Sequence, residues 1–598
     1  MTGFGFFKNN NSFVMIVSAI LMLSVMKSAH AAEVNNPTEQ QLRDNESQNR
    51  ERQREALRLQ APLGENEIPE AGQKEFQDNG VCFPIDKVEI ESIKLLQADE
   101  VASITDKIEG RCIVIKQLDD LIQNITNAYI QKGFITARSY IPDQDLSTRT
   151  LRIVMVEGEL EGFEWNSVAI SDSKEGRTQI GASFPGAVGE PLNLRDIEQS
   201  VENLSRLSSF DVSTKLKPGK KLGGTILEIN NSPKSFVHGD VYYNNLGFES
   251  TGKHVSGFRL NFDSSLDRAD TLYINYKQTG NYVGLPSSSR IPSSKTISYH
   301  ASIPFRYWLY SLNGSFFNYR SEFESVTGSL NETKGLSNSI QLKAEKTLFR
   351  DQTRKTKASF ALSRSKTENF LSIGQISDIR LDNQSHTLTA AHIDFSYTHT
   401  SRLGIFSSII GYEQGLGFFD SINADSVDLN GDARYKKISL DLALHSSFEL
   451  LNRTINSSTS LTIQHSDDHL LGSQQISLGG TSTVRGTPSG LMSGNSGYYV
   501  RNEFSAAYDT FDNKTIKKVL GHMQPYVAID YGEVKNKAKY DINHGRLLGG
   551  AIGVRNLNGQ VSYDLGYEKV FDSSLQSKED SRAFTNDGRL YFKVSSSF

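Results

Sequence analysis

The chain has no excess of positive charge: 64 lysines and arginines face 69 aspartates and glutamates, a formal net charge of −5. No basic field is available to hold nucleic acid or another polyanion, and the 12 histidines do not create one. Cysteine is almost missing, with 2 among 598 residues, which excludes a disulfide-dense scaffold. Proline is sparse at 14. A mean hydropathy of −0.41 argues against a bundle of spanning helices, each of which needs about 20 largely apolar residues. It does not exclude a β-barrel, whose strands send only alternate residues to lipid. Aromatics and glycine are plentiful, with 32 Phe, 23 Tyr and 47 Gly, a β-rich profile. The length exceeds one ordinary core and points to several units.

The one long apolar run, Phe13 to Met26, follows Lys8 and precedes Ala29-His30-Ala31, whose alternating small residues suit signal peptidase. Residues 1–31 therefore read as a secretory signal peptide. The alternative, an uncleaved anchor helix, is disfavoured because the run is short for a span. Export places Cys82 and Cys112 where oxidation is permitted, and a disulfide is the expectation. Two free thiols stay open, since sequence cannot show whether the Cα atoms come within roughly 4.4–6.8 Å. At the other end Leu590, Phe592, Val594 and Phe598 alternate with Arg589, Tyr591, Lys593 and Ser597. An aromatic-ended terminal strand suits an outer-membrane barrel, although the edge of a soluble sandwich would read much the same.

Residues 32–81 are polar, with Asn36 placed to cap and Pro37 at a first helical position. The stretch Glu39 to Gln60 can be a helix, but Leu42, Leu57 and Leu59 are isolated and give it no wide apolar stripe. It is either a disordered linker or a helix housed in a watery cavity. Beyond it, Phe83 to Ile90 reads as a strand. Leu118, Leu121, Ile122, Ile125 and Tyr129 then form a helical face that Gly133 stops, and strands follow over Phe134–Pro142 and Thr150–Leu160. A second unit repeats the scheme, with Leu194, Ile197, Val201, Leu204 and Leu207 on a helix and strands near Phe210–Leu216 and Gly224–Ile229. Neither unit carries a catalytic constellation.

From about Gly239 the period is two: Phe258, Leu260 and Phe262 alternate with Arg259, Asn261 and Asp263, and Ile438, Leu440, Leu442 and Leu444 with Ser439, Asp441, Ala443 and His445. Some 360 residues remain to Phe598, too many for one sandwich, whereas strand-plus-loop units of roughly 20–25 residues give about sixteen strands. Connections also alternate in length. The long segments Phe571–Asp587 and Glu533–His544 flank the tight Asn558-Gly559 turn. The expected architecture is a transmembrane antiparallel β-barrel over residues 236–598, preceded by two α+β modules at 82–160 and 161–235 and by an N-terminal helix.

These residues resemble a known family. The run from Cys112-Ile-Val-Ile-Lys-Gln-Leu-Asp through Tyr129-Ile-Gln-Lys-Gly-Phe to Pro142-Asp-Gln-Asp-Leu and Val156-Glu-Gly looks like the first POTRA domain of two-partner secretion transporters of the haemolysin secretion/activation type. Pro191-Leu-Asn-Leu-Arg-Asp-Ile-Glu with Leu216-Lys-Pro-Gly resembles the second. Ser482-Thr-Val-Arg-Gly resembles the signature of the family's sixth extracellular loop, Gly497-Tyr-Tyr-Val-Arg-Asn-Glu the strand after it, and Ile529-Asp-Tyr-Gly the next. The likeness covers nearly the whole mature chain. It departs where Thr487 and Pro488 replace the usual aromatic, which puts the local loop packing in doubt.

The resemblance implies an outer-membrane transporter with periplasmic POTRA domains that binds one large unfolded exoprotein and threads it to the surface. Such cargo is a haemolysin, an adhesin or a contact-dependent inhibition toxin. It implies a loop folded into the barrel, with Val484-Arg485-Gly486 meeting Asp530 on the inner wall, and a helix plugging the lumen at rest. The alternation agrees: Pro525, Val527, Ile529 and Tyr531 would face lipid and turn Asp530 inward, where a guanidinium can engage it bidentately. Gly486 and Gly532 leave room for close approach. Expected partners are the exoprotein, outer-membrane lipid and, for insertion, the barrel-assembly machinery. The chain is expected to act as a monomer, without nucleic acid, cofactor or metal and without enzymatic activity. His465-Ser-Asp-Asp-His469 reads as a polar turn, and Asp428-Leu-Asn-Gly-Asp432 fails the calcium-loop spacing. A barrel-assembly insertase of the same superfamily is the rival reading, and it typically carries more POTRA units.

Overall fold

The computed structural model describes residues 36–62 and 82–598, apart from 281–291, 325–327, 374–375, 420, 422–432, 488, 509–512, 537–544, 558 and 575–587. The signal-peptide run and Asp428–Asp432 lie outside the described residues. From Val237 to Ser597, sixteen antiparallel strands close into a barrel. One further short strand, Ile376–Arg380, pairs with the end of Arg354–Ile373, which itself pairs directly with His386–Ser401. The seam joins Val237–Asn244 to Arg589–Ser597, with Val241 opposite Ser596.

The two-residue period decides which face is which. Ile297, Phe316, Ile340, Phe360, Phe395, Ile410, Leu444, Val527, Ile529 and Ile552 are exposed on the outside, while Lys357, Asp441, Thr462, Gln464 and Asp530 are buried on the inside. A belt of large apolar side chains this extensive is untenable in water and natural in hydrocarbon. Connections on one rim are minimal. Leu450 pairs with Arg453 across Leu451-Asn452, both at positive φ (51° and 58°), the twist that a two-residue hairpin demands. On the opposite rim they are long, and the longest, residues 466–495, carries a small hairpin of Ile476–Leu478 with Met492–Gly494.

In the first module, helices α2 (Ala98–Thr105) and α3 (Ile115–Gln131) pack on a sheet ordered Lys87–Glu91, Thr150–Val156, Arg138–Tyr140. Its core is Leu121, Ile125, Tyr129, Leu151 and Ile153. Cys82 and Cys112 are joined, Cα atoms 5.4 Å apart, and tie Cys82–Ile85 to Arg111–Val114. Tyr129 donates to Glu157 at 2.8 Å, and burial together with that carboxylate pushes the phenol up from its ordinary pKa. Three strands are shorter than the sequence suggests. The stretch expected at Phe134–Pro142 keeps only Arg138–Tyr140, because Phe134 and Ala137 spend their N–H groups on turns back to Tyr129 and Phe134. Phe83–Ile90 breaks at Asp86 into Cys82–Ile85 and Lys87–Glu91, which join different sheets. Thr150–Leu160 breaks at Gly158, φ +75°, and Glu159–Trp165 crosses into the second sheet.

That sheet runs Val168–Ala169, Glu159–Trp165, Gly224–Asn231, Val212–Pro218, with α4 (Lys174–Ser183) and α5 (Leu194–Ser205) over a core of Phe163, Trp165, Leu204 and Leu227. The modules meet tightly: Leu194 N–H donates to Gly133 O at 2.8 Å and Asn193 Nδ2 to Lys132 O at 3.2 Å. A Cβ on Gly133 would lie 3.1 Å from Asn193 Cγ, and φ there is +95°. The second module also docks on the barrel's short turns. Arg206 donates to Ser302 Oγ and Ala269 O, both at 2.6 Å, and Asn203 to Arg306 O at 2.8 Å. Glu202 on α5 is gripped by Arg350 and Lys355, with Lys357 at 3.7 Å.

Burial alone would raise the Glu202 carboxyl, but Lys355, Lys357 and Arg350 override it and hold the pKa at about 2. A depressed carboxyl contributes fully above its ordinary pKa of 4.5 and loses that contribution as pH falls toward 2. The contribution at neutral pH is on the order of 3 kcal/mol. Lowering the pH from 5 to 3 is therefore expected to loosen the second module from the rim, read as a broadened spin-label distance between module and barrel. Glu202→Gln should be loose at both pH values, and a variant as tight and as pH-dependent as the parent would refute the assignment.

Candidate functional site

Helix α1 (Pro37–Leu59) runs through the barrel lumen. Asn36 Oδ1 accepts the Thr38 N–H at 3.0 Å, and Pro37 starts the first turn without needing a donor of its own. Its 23 residues span about 34 Å, enough to cross the hydrocarbon thickness. Contacts surround it. Thr38 meets Asn369 at 3.1 Å, Lys277 donates to Gln41 at 3.1 Å, Arg54 to Thr462 at 2.9 Å and Arg501 to Glu51 at 3.1 Å, from four different wall strands. Toward the long-loop rim, Arg43 donates to Gly472 O at 2.7 Å, Ser489 to Asp44 at 2.9 Å, and Gln40 to Ser489 O. Toward the module rim, Lys357 donates to Gln60 Oε1 at 2.8 Å and Thr400 to Pro62 O at 2.6 Å.

The helix does not hold its place by apolar burial: Leu57 is buried, but Leu59 is 70% exposed. Its seat is polar throughout. Each such contact exchanges for water at a net cost of about 0.5–1.5 kcal/mol, so the helix is removable without opening the wall.

The 466–495 loop folds inward against the same lumen. Leu478, Val484 and Met492 pack on Tyr499, Val534, Leu547 and Val570. Gly486 adopts φ +113°, and a Cβ there would stand 2.5 Å from the Lys569 carbonyl carbon, so only glycine lets the turn lie on the wall. Gly532 likewise faces Leu478, whose Cδ2 lies 2.6 Å from where a Cβ would be. Arg485 is thereby delivered to two carboxylates. Its Nε lies 2.9 Å from Asp530 Oδ2 and its Nη1 2.8 Å from Glu503 Oε2. The Nε is not aligned for a hydrogen bond; the bond to Asp530 Oδ2 comes from Arg485's own backbone N–H, at 3.1 Å.

The guanidinium thus departs from the bidentate fork anticipated for Asp530, because its planar edge is divided between two strands. Glu503 in turn is held by Arg555, whose Nε donates to Gln524 at 2.9 Å. Glu503 closes the run Gly497-Tyr-Tyr-Val-Arg-Asn-Glu, and nothing local in that run marks it as a partner of the loop arginine. The missing signal is three-dimensional: Glu503 pairs across the strands with Ala528, two residues from Asp530. At the departure from the family pattern, Thr487 is fully buried, and loop packing comes from the Leu478–Val484–Met492 cluster instead. Among the described residues no group of His, Cys, Asp and Glu is placed to hold a metal ion.

A family model described as haemolysin secretion/activation protein ShlB/FhaC/HecB matches residues 223–556, a ShlB-type POTRA model residues 83–158 and a further POTRA model residues 166–218. The outer membrane transporter CdiB of Escherichia coli O6:K15:H31 is 28% identical over 514 residues, 86% of this chain and 82% of its own. The hemolysin transporter protein HpmB of Proteus mirabilis is 26% identical over 465 residues, 77% of each chain. The solved structure of CdiB from Escherichia coli superposes with a TM-score of 0.80 at 25% identity, covering 95% of this chain and 99% of that one.

Neutralising one carboxylate leaves a buried arginine partly uncompensated, at a cost of about 3–5 kcal/mol where the site is dry. Asp530→Asn is expected to loosen the loop by about that amount, and Glu503→Gln by less, since Glu503 is the wetter partner. The rate at which added protease cuts within 466–495 reads this out. Cleavage of both variants at the parental rate would remove the two-carboxylate clamp.

Proposed function

The chain belongs to the haemolysin secretion/activation family of outer-membrane transporters, and from that premise we propose that it captures one large unfolded exoprotein in the periplasm and threads it through its barrel to the cell surface. The barrel lies in the outer membrane and the POTRA domains in the periplasm. Capture is by edge-strand addition. Among the described residues both POTRA sheets have free edges, Lys87–Glu91 in the first and Val212–Pro218 in the second. Main-chain hydrogen bonds there give affinity with little demand on cargo sequence.

One observation carries this reading. The lumen is polar and wide enough to hold a whole helix, and the helix that fills it is no part of the wall. With α1 withdrawn, an extended chain has a hydrated route across the membrane. The clamp of Arg485 on Asp530 and Glu503 keeps the loop seated inside while α1 comes and goes, so its value is conformational. The cargo is of the class that the family resemblance implies, a haemolysin, an adhesin or a contact-dependent inhibition toxin. A single copy forms a complete conduit, inserted by the barrel-assembly machinery.

Deleting the gene is expected to remove one very large protein from the cell surface, seen by surface proteomics. Restoring the gene as Arg485→Ala should leave export reduced by about tenfold or more while the barrel still shows heat-modifiable mobility, because the clamp holds a loop and not the strands. Undiminished export by Arg485→Ala would reject the role of the clamp.

A further inference from the structure

The wall charges that face α1 are not equivalent. Lys437 reaches Glu46 at 3.5 Å, but its nearer partner is Glu413, at 2.9 Å, which belongs to the wall. Arg501 meets Glu51 at 3.1 Å, yet the Glu51 side chain is 52% exposed and Arg501 also donates to Thr481 O at 2.7 Å. Lys277 donates to the neutral Gln41 amide and feels the Asp44 charge without closing an ion pair with it, and Lys355 and Lys357 are shared with Glu202 and Glu345. Asp441 differs from all of these. Its Oδ2 lies 3.2 Å from Arg50 Nη1 and its Oδ1 3.2 Å from Arg54 Nη1. Arg50 and Arg54 stand one turn apart on one helix face, so a single carboxylate takes both, with Arg50 also held by Glu46 of its own helix at 2.7 Å. Thr462 donates to Asp441 Oδ1 at 2.6 Å and accepts from Arg54 at 2.9 Å, which closes a ring of helix, wall strand and neighbouring strand. Asp441 is 5% exposed, Arg54 5% and Thr462 0%.

We propose that Asp441 is the latch of the luminal helix, the positioning residue whose pairing with Arg50 and Arg54 sets how often the conduit stands open. The inference rests on the transport reading. It follows from differential interaction: a contact shifts a two-state equilibrium only if it exists in one state and not the other. Most other wall charges keep a wall partner when α1 leaves. The cationic partners of Asp441 leave with it, and only the Thr462 hydroxyl remains. The same carboxylate sets register, since sliding α1 by one residue rotates Arg50 and Arg54 about 100° from the wall strand.

The test uses the mature chain in planar lipid bilayers, with six proteins compared: the parent, Asp441→Asn, Asp441→Glu, Arg50→Gln with Arg54→Gln, a chain lacking residues 37–60, and that shortened chain with Asp441→Asn. The helix-deleted chain gives the fully open conductance. Asp441→Asn keeps the side-chain shape and is expected to raise the open fraction of the parent by at least about tenfold, the scale on which a charged hydrogen-bonded pair contributes. The double arginine variant, whose wall is untouched, should match it, and Asp441→Glu should restore much of the closed state. In the helix-deleted chain, Asp441→Asn should add nothing, which separates a latch from damage to the wall. If Asp441→Asn and the double arginine variant both stay as closed as the parent while helix deletion opens the pore, the latch is overturned and the plugged conduit stands. If helix deletion itself opens nothing, the plug reading falls and takes the latch with it.

Discussion

A strand immersed in hydrocarbon has no water to satisfy its peptide groups, so every N–H and C=O must find a neighbouring strand and the sheet must close on itself. Everything else in this molecule is subordinate to that closure. It forces the apolar side chains outward and the polar ones inward, and so produces a lumen lined by Asp441, Lys437, Arg501, Asp530 and Glu503. A polar bore through an outer membrane would be a leak, and the plug and the inward loop are the two answers this chain gives. The plug is polar because the bore is polar. A helix with an apolar stripe would find no surface to bury it, whereas one dense in Arg, Glu and Gln finds partners at every level.

The two occupants of the lumen are held differently. The loop is covalently part of the wall and packs an apolar cluster, Val484, Leu478 and Met492, beneath its arginine. The helix is tied to the wall only by exchangeable contacts. Order of strength therefore follows from chemistry: the loop is the fixture and the helix the movable piece. Contacts between them, Ser489 with Asp44 and Arg43 with Gly472, seat one end of the movable piece on the fixture.

Much of this was legible in the amino-acid order. The alternation of Ile438, Leu440, Leu442 and Leu444 with polar neighbours announced a two-faced sheet, and the stripe at Leu118, Leu121, Ile125 and Tyr129 gave α3. The isolation of Leu42, Leu57 and Leu59 left α1 as either a disordered linker or a helix in a wet cavity, and the polar lumen provides the second. What escaped was set by tertiary partners. The stretch at Phe134–Pro142 has the composition of a strand, but its N–H groups close turns before a neighbour can claim them. Helix α4 has only a weak apolar face, and no helical stripe in the sequence announces it. Glu503 and Asp441 look like any other polar residue on an alternating strand. Their importance depends on which arginine stands opposite, and no local pattern reports that.

The joint between the POTRA domains has a mechanical consequence. Asn193 rests against the bare Cα of Gly133, and Leu194 is bonded to the Gly133 carbonyl, so little free rotation remains between the two bodies. The second body is in turn bolted to the rim at Arg206, Asn203 and Glu202. Load taken up at the far end is therefore not dissipated in a swivel. The pair acts as a lever arm whose fulcrum is the barrel mouth, and a force applied at its far end becomes a torque on the hairpin that carries Arg350 and Lys357, beside Gln60 just past the end of α1.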